Sequence, residues 1–268
     1  MPRFKDQAVC IRDIDWSETS QVVALFTREH GKVRGLAKGS KRTSPGAIAR
    51  FCGGIDLLTR GELVATTKPS TDLATITEWD LQDPFRHLHT DLRAHRLSMY
   101  AADFVAALTM DHDPHPKVFD GLVWFLQTLG DASAKPQAAN VLAAALLRFQ
   151  WEVLADCGFK PELDRDVVTG QSLEAAASSM LMFDPRAGGV TVESAEGVSG
   201  LGVNDAGPWR VRSETIDLLR RLPHEPLATL ATADGERVRR ANRLLCVYAR
   251  AILDRELPTM KFVLEGKE

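Results

Sequence analysis

Cysteine is scarce in this chain. The four residues, at 10, 52, 157 and 246 of 268, form no CxxC pair, which argues against a zinc knuckle or a disulfide framework. No run of about 18 apolar residues is present to cross a bilayer, and the opening Met1-Pro-Arg-Phe-Lys-Asp lacks the apolar core of an export signal, so a cytoplasmic protein is expected. There is no GxxxxGK[ST] phosphate loop and no GxSxG elbow, so ATP-driven work and serine hydrolysis lack their usual carriers. Aromatics are few, at 7%. Hydrophobic residues at 44% and charged residues at 26% nonetheless describe a chain that folds, long enough for one large domain or two ordinary ones.

Charge is unevenly spread. The net charge of −3 conceals a basic head, because residues 1–68 carry 12 Lys+Arg against 7 Asp+Glu while the rest of the chain carries 21 against 29. Two modules with different partners are expected. Up to residue 79, apolar and β-branched residues cluster in short runs: Ala8 to Ile11, Gln21 to Thr27, Val33 to Lys38, Gly54 to Leu58, Leu63 to Thr67 and Leu73 to Trp79. With turns at His30-Gly31 and Arg60-Gly61 and no helix expected, about five antiparallel strands predict a small OB-type barrel.

After Pro84 the pattern becomes helical. Apolar stripes run through Leu92, Leu97 and Val105, then through Val118, Leu122 and Leu129, and a nearly all-apolar helix opens at Pro136 and stops at Gly158 and Pro161. Residues 159–208 are glycine-rich and predict an irregular insert; helices return behind Ser213-Glu214-Thr215 and again from Gly235 to about Leu257. The expectation is an α+β chain with a barrel over 1–80 and a helical domain over 81–268.

The densest charge feature is Arg28 to Arg42, with six basic residues against one acid. Strand alternation puts Lys32, Arg34 and Lys38 on one side, and Lys41 and Arg42 follow in a flexible loop from Ser40 to Gly46. Glycines at 31, 35 and 39 would let a phosphate chain approach the backbone. Two readings stand: a nucleic-acid backbone site, or a solvated edge strand protected by lysines. The nearest aromatics are Phe26 and Phe51, so electrostatics would outweigh base stacking.

Glu18-Thr19-Ser20 followed by Val23 through Gly39 closely resembles the N-terminal signature of the RecO family of bacterial recombination mediators. The similarity continues in Phe51 with Leu57-Leu58, resembling the family's fourth strand, in Leu154 through Arg165, in Phe183-Asp184-Pro185 with Gly188-Gly189-Val190, and in Tyr248 through Phe262. This resemblance implies an OB-fold joined to a helical domain, no enzymatic activity, and a nucleoid-associated cytoplasmic role in recombinational DNA repair. It implies binding to single- and double-stranded DNA, annealing of complementary strands, work with RecR, and help to RecA in displacing single-strand-binding protein. The family's DNA-contacting positions fall on Arg34 and Lys38, with Lys32, Lys41 and Arg42 as neighbours.

One departure from the family stands out. Many members carry a four-cysteine zinc site in the insert, but here Asp166 and Thr169 replace the first pair and Thr191-Val192-Glu193-Ser194 lacks the second. Metal is therefore not expected. The insert is expected to be held by packing around Phe183, Val190 and Val192, and Cys157 to be a buried helix-end thiol. On the last long helix, Arg240, Arg243 and Arg250 share a face that either contacts DNA or the acidic C-terminal tail of single-strand-binding protein, or is simply solvated. Two rival functions are an adaptor whose barrel docks proteins, and a metal enzyme using Asp111-His112-Asp113-Pro114-His115.

Overall fold

The structure is a computed structural model and describes residues 2–68, 71–133, 138–173, 180–192 and 207–265. Five strands, β1 (Arg3–Ser17), β2 (Ser20–Thr27), β3 (Gly31–Ala37), β4 (Arg60–Lys68) and β5 (Thr71–Asp83), close into a barrel in the order β1-β2-β3-β5-β4. The expected OB-type barrel followed by helices is what forms. Alternating residues point inward, so that Cys10, Val23, Leu25, Val33, Leu63, Ile76 and Trp79 make the core.

The strands are not all antiparallel, as the sequence suggested. A closed ring with an odd number of strands cannot alternate direction throughout, and the exception is β3 with β5, paired in parallel at Gly35↔Ala74, Leu36↔Thr75 and Ala37↔Ile76. That junction is tight. A Cβ on Gly35 would lie 2.8 Å from Ile76 Cγ1. Gly35 therefore serves barrel closure, and Gly31, where a Cβ would meet the backbone of Asp113 at 2.3 Å, serves a similar close approach. Neither leaves room for the phosphate chain that the glycine pattern suggested.

Other local expectations are also corrected. A helix, α1 (Pro45–Phe51), occupies part of the predicted loop: Pro45 presets the first helical φ, and Ala47 and Phe51, one turn apart, are buried on one face. Residues 54–58 form no strand, because Gly53, Gly54 and Leu58 all adopt positive φ; Leu57-Leu58 therefore precede the fourth strand, and Arg60-Gly61 opens it instead of turning.

The contacts divide the chain into two compact units, Met1–Gly130 and Asp131–Glu268. In the first, the barrel shares its unit with α2 (Leu92–Leu108) and most of α3 (Pro116–Ser133). Asp91 caps α2 by accepting from the Arg93 and Ala94 amides.

In the second unit, α4 (Ala138–Asp156) packs with α6 (Leu227–Thr232) and α7 (Gly235–Leu253), and α7 in turn packs with α5 (Ser213–Arg221) and α8 (Lys261–Leu264). The apolar girth of α4 is buried as expected, and one buried polar clamp fixes its register: Gln150 Nε2 donates to Asn242 Oδ1 at 2.7 Å, while Asn242 Nδ2 donates to the Ala143 carbonyl at 2.9 Å. The predicted start at Pro136, together with Glu193, Ser194, Gly197, Gly200 and Gly202, lies outside the described residues.

The described part of the insert holds more regular structure than its glycines suggested. Strands β6 (Met180–Asp184), β7 (Gly189–Thr191) and β8 (Trp209–Arg212) form an antiparallel sheet in the order β7-β6-β8. Phe183 and Val190 are buried in it, but Val192 is exposed, and Cys157 is only half-buried at the end of α4.

Asp166 does the work expected of Val192. Its carboxylate is buried; Oδ1 accepts from the amides of Val168 (2.8 Å) and Thr169 (2.9 Å), and Oδ2 accepts from Thr191 Oγ1 (3.0 Å) and the Val192 amide (2.7 Å). The two segments in which the resemblance would place zinc cysteines are thus tied by one carboxylate whose oxygens are taken up by donors. The residues present do not fit zinc. Burial alone would raise the Asp166 pKa, but these four hydrogen bonds outweigh it and hold the group below its ordinary value.

Two predictions follow from closure and from this knot. Gly35→Val should lower the free energy of unfolding by about 2 kcal/mol in chemical denaturation, through overpacking against Ile76. Asp166→Ala should cost on the order of 3 kcal/mol at pH 7, since four donors lose a charged acceptor. Because the folded-state pKa is lowered, that contribution is present above about pH 4 and is lost as pH falls through the folded value, so urea unfolding at pH 7 and pH 3 should show the difference between the two proteins shrinking.

Candidate nucleic-acid interface

The outer face of β3 and the residue just after it carry the predicted basic row: Lys32, Arg34, Leu36 and Lys38 alternate with buried Val33, Gly35 and Ala37. The structure then divides the row. Lys32, with its side chain only 16% exposed, donates from Nζ to the carbonyls of Ala106 (2.7 Å) and Thr109 (2.9 Å) at the end of α2 and lies 3.3 Å from Asp111 Oδ1. An ammonium there neutralises the negative end of the helix dipole. Arg34 is more open and pairs with the other oxygen of Asp111 at 3.0 Å. Asp111 is thus occupied by two cations, and among the described residues no group of three or more His, Cys, Asp and Glu side chains is arranged to hold a metal.

Beyond the end of β3, two of the three cations have no ion pair among the described residues. Lys38 and Arg42 are exposed and make no ion pair among the described residues, whereas Lys41 is paired with Asp15, a hydrogen bond that raises the Lys41 pKa. Lys38 and Arg42 line a cleft of about 360 Å³ together with Arg50 of α1, Trp16 at the end of β1, and Ser17, Ser20 and Ser44. Three cations and no carboxylate stand in that lining.

The cleft is held from beneath by a buried side chain. Gln21 Oε1 accepts from Ser40 Oγ (3.0 Å) and from the Ile55 amide (3.1 Å), while its Nε2 donates to the Ile55 carbonyl (3.0 Å). The turn carrying Lys38 to Arg42 is thereby fastened to β2. Phe26 and Phe51, the aromatics nearest in sequence, are buried in the barrel unit and offer no face; Trp16 and Arg50 are the members that sequence reasoning missed.

Sequence profiles of known families match both parts of the chain. The one described as Recombination protein O N terminal covers residues 1–85, and the one described as Recombination protein O C terminal covers residues 89–261. The chain belongs to the RecO family. Among relatives, it is 28% identical over 262 residues to the DNA repair protein RecO of Anaeromyxobacter sp. (strain Fw109-5), covering 97% of this chain and 95% of that one. The DNA repair protein RecO of Pelotomaculum thermopropionicum is 29% identical over 272 residues, covering 98% and 94%. That of Rhodopirellula baltica is 29% identical over 229 residues, covering 85% and 78%. This is therefore a RecO family DNA repair protein, and no helix among its described residues is long and apolar enough to cross a membrane.

The arginines of α7 are placed differently from one another. Arg240 donates to Glu214 Oε1 at 2.7 Å, and Glu214 also holds Arg212 and Arg237. Arg250 is folded onto Glu256 at 3.3 Å, and only Arg243 of the three is exposed.

The division of the β3 row is open to a stability measurement. Lys32→Ala should lower the thermal stability of the first unit by about 2 kcal/mol, because two helix-end carbonyls lose their charged donor. Lys38→Ala, at an exposed position, should change it by less than about 0.5 kcal/mol.

Proposed function

We propose that this chain is a non-enzymatic DNA-binding mediator of recombination that anneals complementary single strands and assists RecA loading onto DNA coated with single-strand-binding protein. The observation that carries the reading is the cleft lined by Lys38, Arg42 and Arg50 with no carboxylate in its lining, on a barrel of OB topology. Phosphates of single- or double-stranded DNA are held there, with Arg34 and Lys41 at the margin and Lys32 contributing charge from its seat against α2. Neutralising two backbones on one face lowers their mutual repulsion, which is all that annealing requires of the protein.

The partners follow the family reading. A barrel module over 1–80 meets DNA, and a helical module over 81–268 meets RecR and the acidic C-terminal tail of single-strand-binding protein. RecA is served indirectly, at the nucleoid. Arg240, Arg243 and Arg250 form the secondary anionic contact, and Arg243, the exposed one, is the first of them to meet a ligand.

Fluorescence anisotropy on a labelled single-stranded oligonucleotide across a salt series tests this. If four to six phosphates are neutralised, the slope of log affinity against log salt should be about −3 to −4, and Lys38→Ala/Arg42→Ala should flatten it by about 1.4. Affinity that is absent or indifferent to salt would transfer the reading to a protein adaptor with an OB-type docking module.

A further inference from the structure

Trp16 is 69% exposed, while Phe26, Phe51 and Trp79 of the same unit are fully buried and Phe4 is partly buried. Its position is built. The β1–β2 ladder pairs Asp15 with Gln21 and Ser17 with Ser20, so Trp16 is the extra residue of a β-bulge, two residues on β1 being spanned by one step on β2. A bulge re-aims the side chain it releases, and bulges concentrate where a side chain must be presented. Gln21, the partner on the other side of the bulge, is the buried residue that fastens the Lys38 to Arg42 turn. Among the described residues, Trp16 stacks on no ring and no cation of its own chain.

Trp16 shares its cleft with Lys38, Arg42, Arg50 and three serines. A flat apolar ring in the same cleft as a set of cations matches one chemical object in its two parts, a planar base and an anionic sugar-phosphate. We propose that Trp16 is a stacking platform for an unpaired nucleobase, so that this cleft takes single-stranded DNA in preference to duplex. The inference rests on the DNA-binding reading above and adds to it. Phosphate contacts by Lys38 and Arg42 are the same for one strand or two, whereas the base faces of a duplex are already stacked on one another; only an unpaired base has a face to offer Trp16. Discrimination between the two forms therefore comes from the indole and salt dependence from the cations.

The test uses the full chain and its Trp16→Ala, Trp16→Phe and Lys38→Ala/Arg42→Ala variants. The probes are oligo-dT, an oligomer of equal length made of abasic sites, and a duplex of equal length. Trp16→Ala should bind oligo-dT roughly tenfold more weakly with an unchanged salt slope. It should bind the abasic oligomer and the duplex as the native protein does, and Trp16→Phe should recover most of the loss. If Trp16→Ala binds oligo-dT like the native protein while Lys38→Ala/Arg42→Ala is weakened, the cleft reads phosphate alone and the stacking proposal is overturned. Equal weakening of Trp16→Ala on all three probes would overturn it too, as a structural effect of the substitution. Native protein that binds no probe in a salt-dependent way would remove the underlying DNA reading, an outcome distinct from the other two.

Discussion

The closure of a five-stranded ring is the constraint from which the rest of the first unit follows. An odd ring demands one parallel pair, and that pair is only three residues long, seated on Gly35 against Ile76. Its register fixes which face of β3 looks outward, and so decides that Lys32, Arg34 and Lys38 share the outside while Val33 and Ala37 fill the core. Because β3 and β5 run the same way, the chain must cross from the end of β3 before it can begin β4. α1 lies in that crossing, with Arg50 on it, and its Phe51 plugs into the core.

Charge of one sign along one strand serves two ends here. Near the start of β3 it is spent internally: Lys32 is a bolt through the end of α2, and Arg34 shares Asp111 with it. Near the end of β3 it is left unspent, and the unspent charges meet in one place because Gln21 pins their turn to the neighbouring strand. A cleft already fastened in this way needs little ordering when a ligand arrives, which leaves more of the contact energy to appear as affinity.

Much of this was legible in the sequence, and what was not has identifiable causes. The period-2 runs, the turn at His30-Gly31 and the change of rhythm after Pro84 correctly announced a barrel followed by helices; Lys38 was picked out by strand alternation and family resemblance, and Arg42 by its place in the basic loop that follows and by the same resemblance. α1 was hidden because seven residues carry too little periodicity to be seen, although Pro45 with Ala47 and Phe51 did hold the signal. Trp16 was hidden because alternation is the rule by which strands are read, and a bulge is the place where alternation fails. The role of Lys32 needed the tertiary fold, since its partners lie more than 70 residues away. So did Asp166, whose substitution for a cysteine was visible but whose four donors were not.

That last exchange bears on the conditions in which a repair protein works. A thiolate cluster climbs an oxidation ladder, from sulfenic acid to irreversible sulfonic acid, and gives up its metal on the way. A carboxylate has no such ladder. With Asp166 in that place, the tie between these two segments of the insert contains no thiol for peroxide to oxidise.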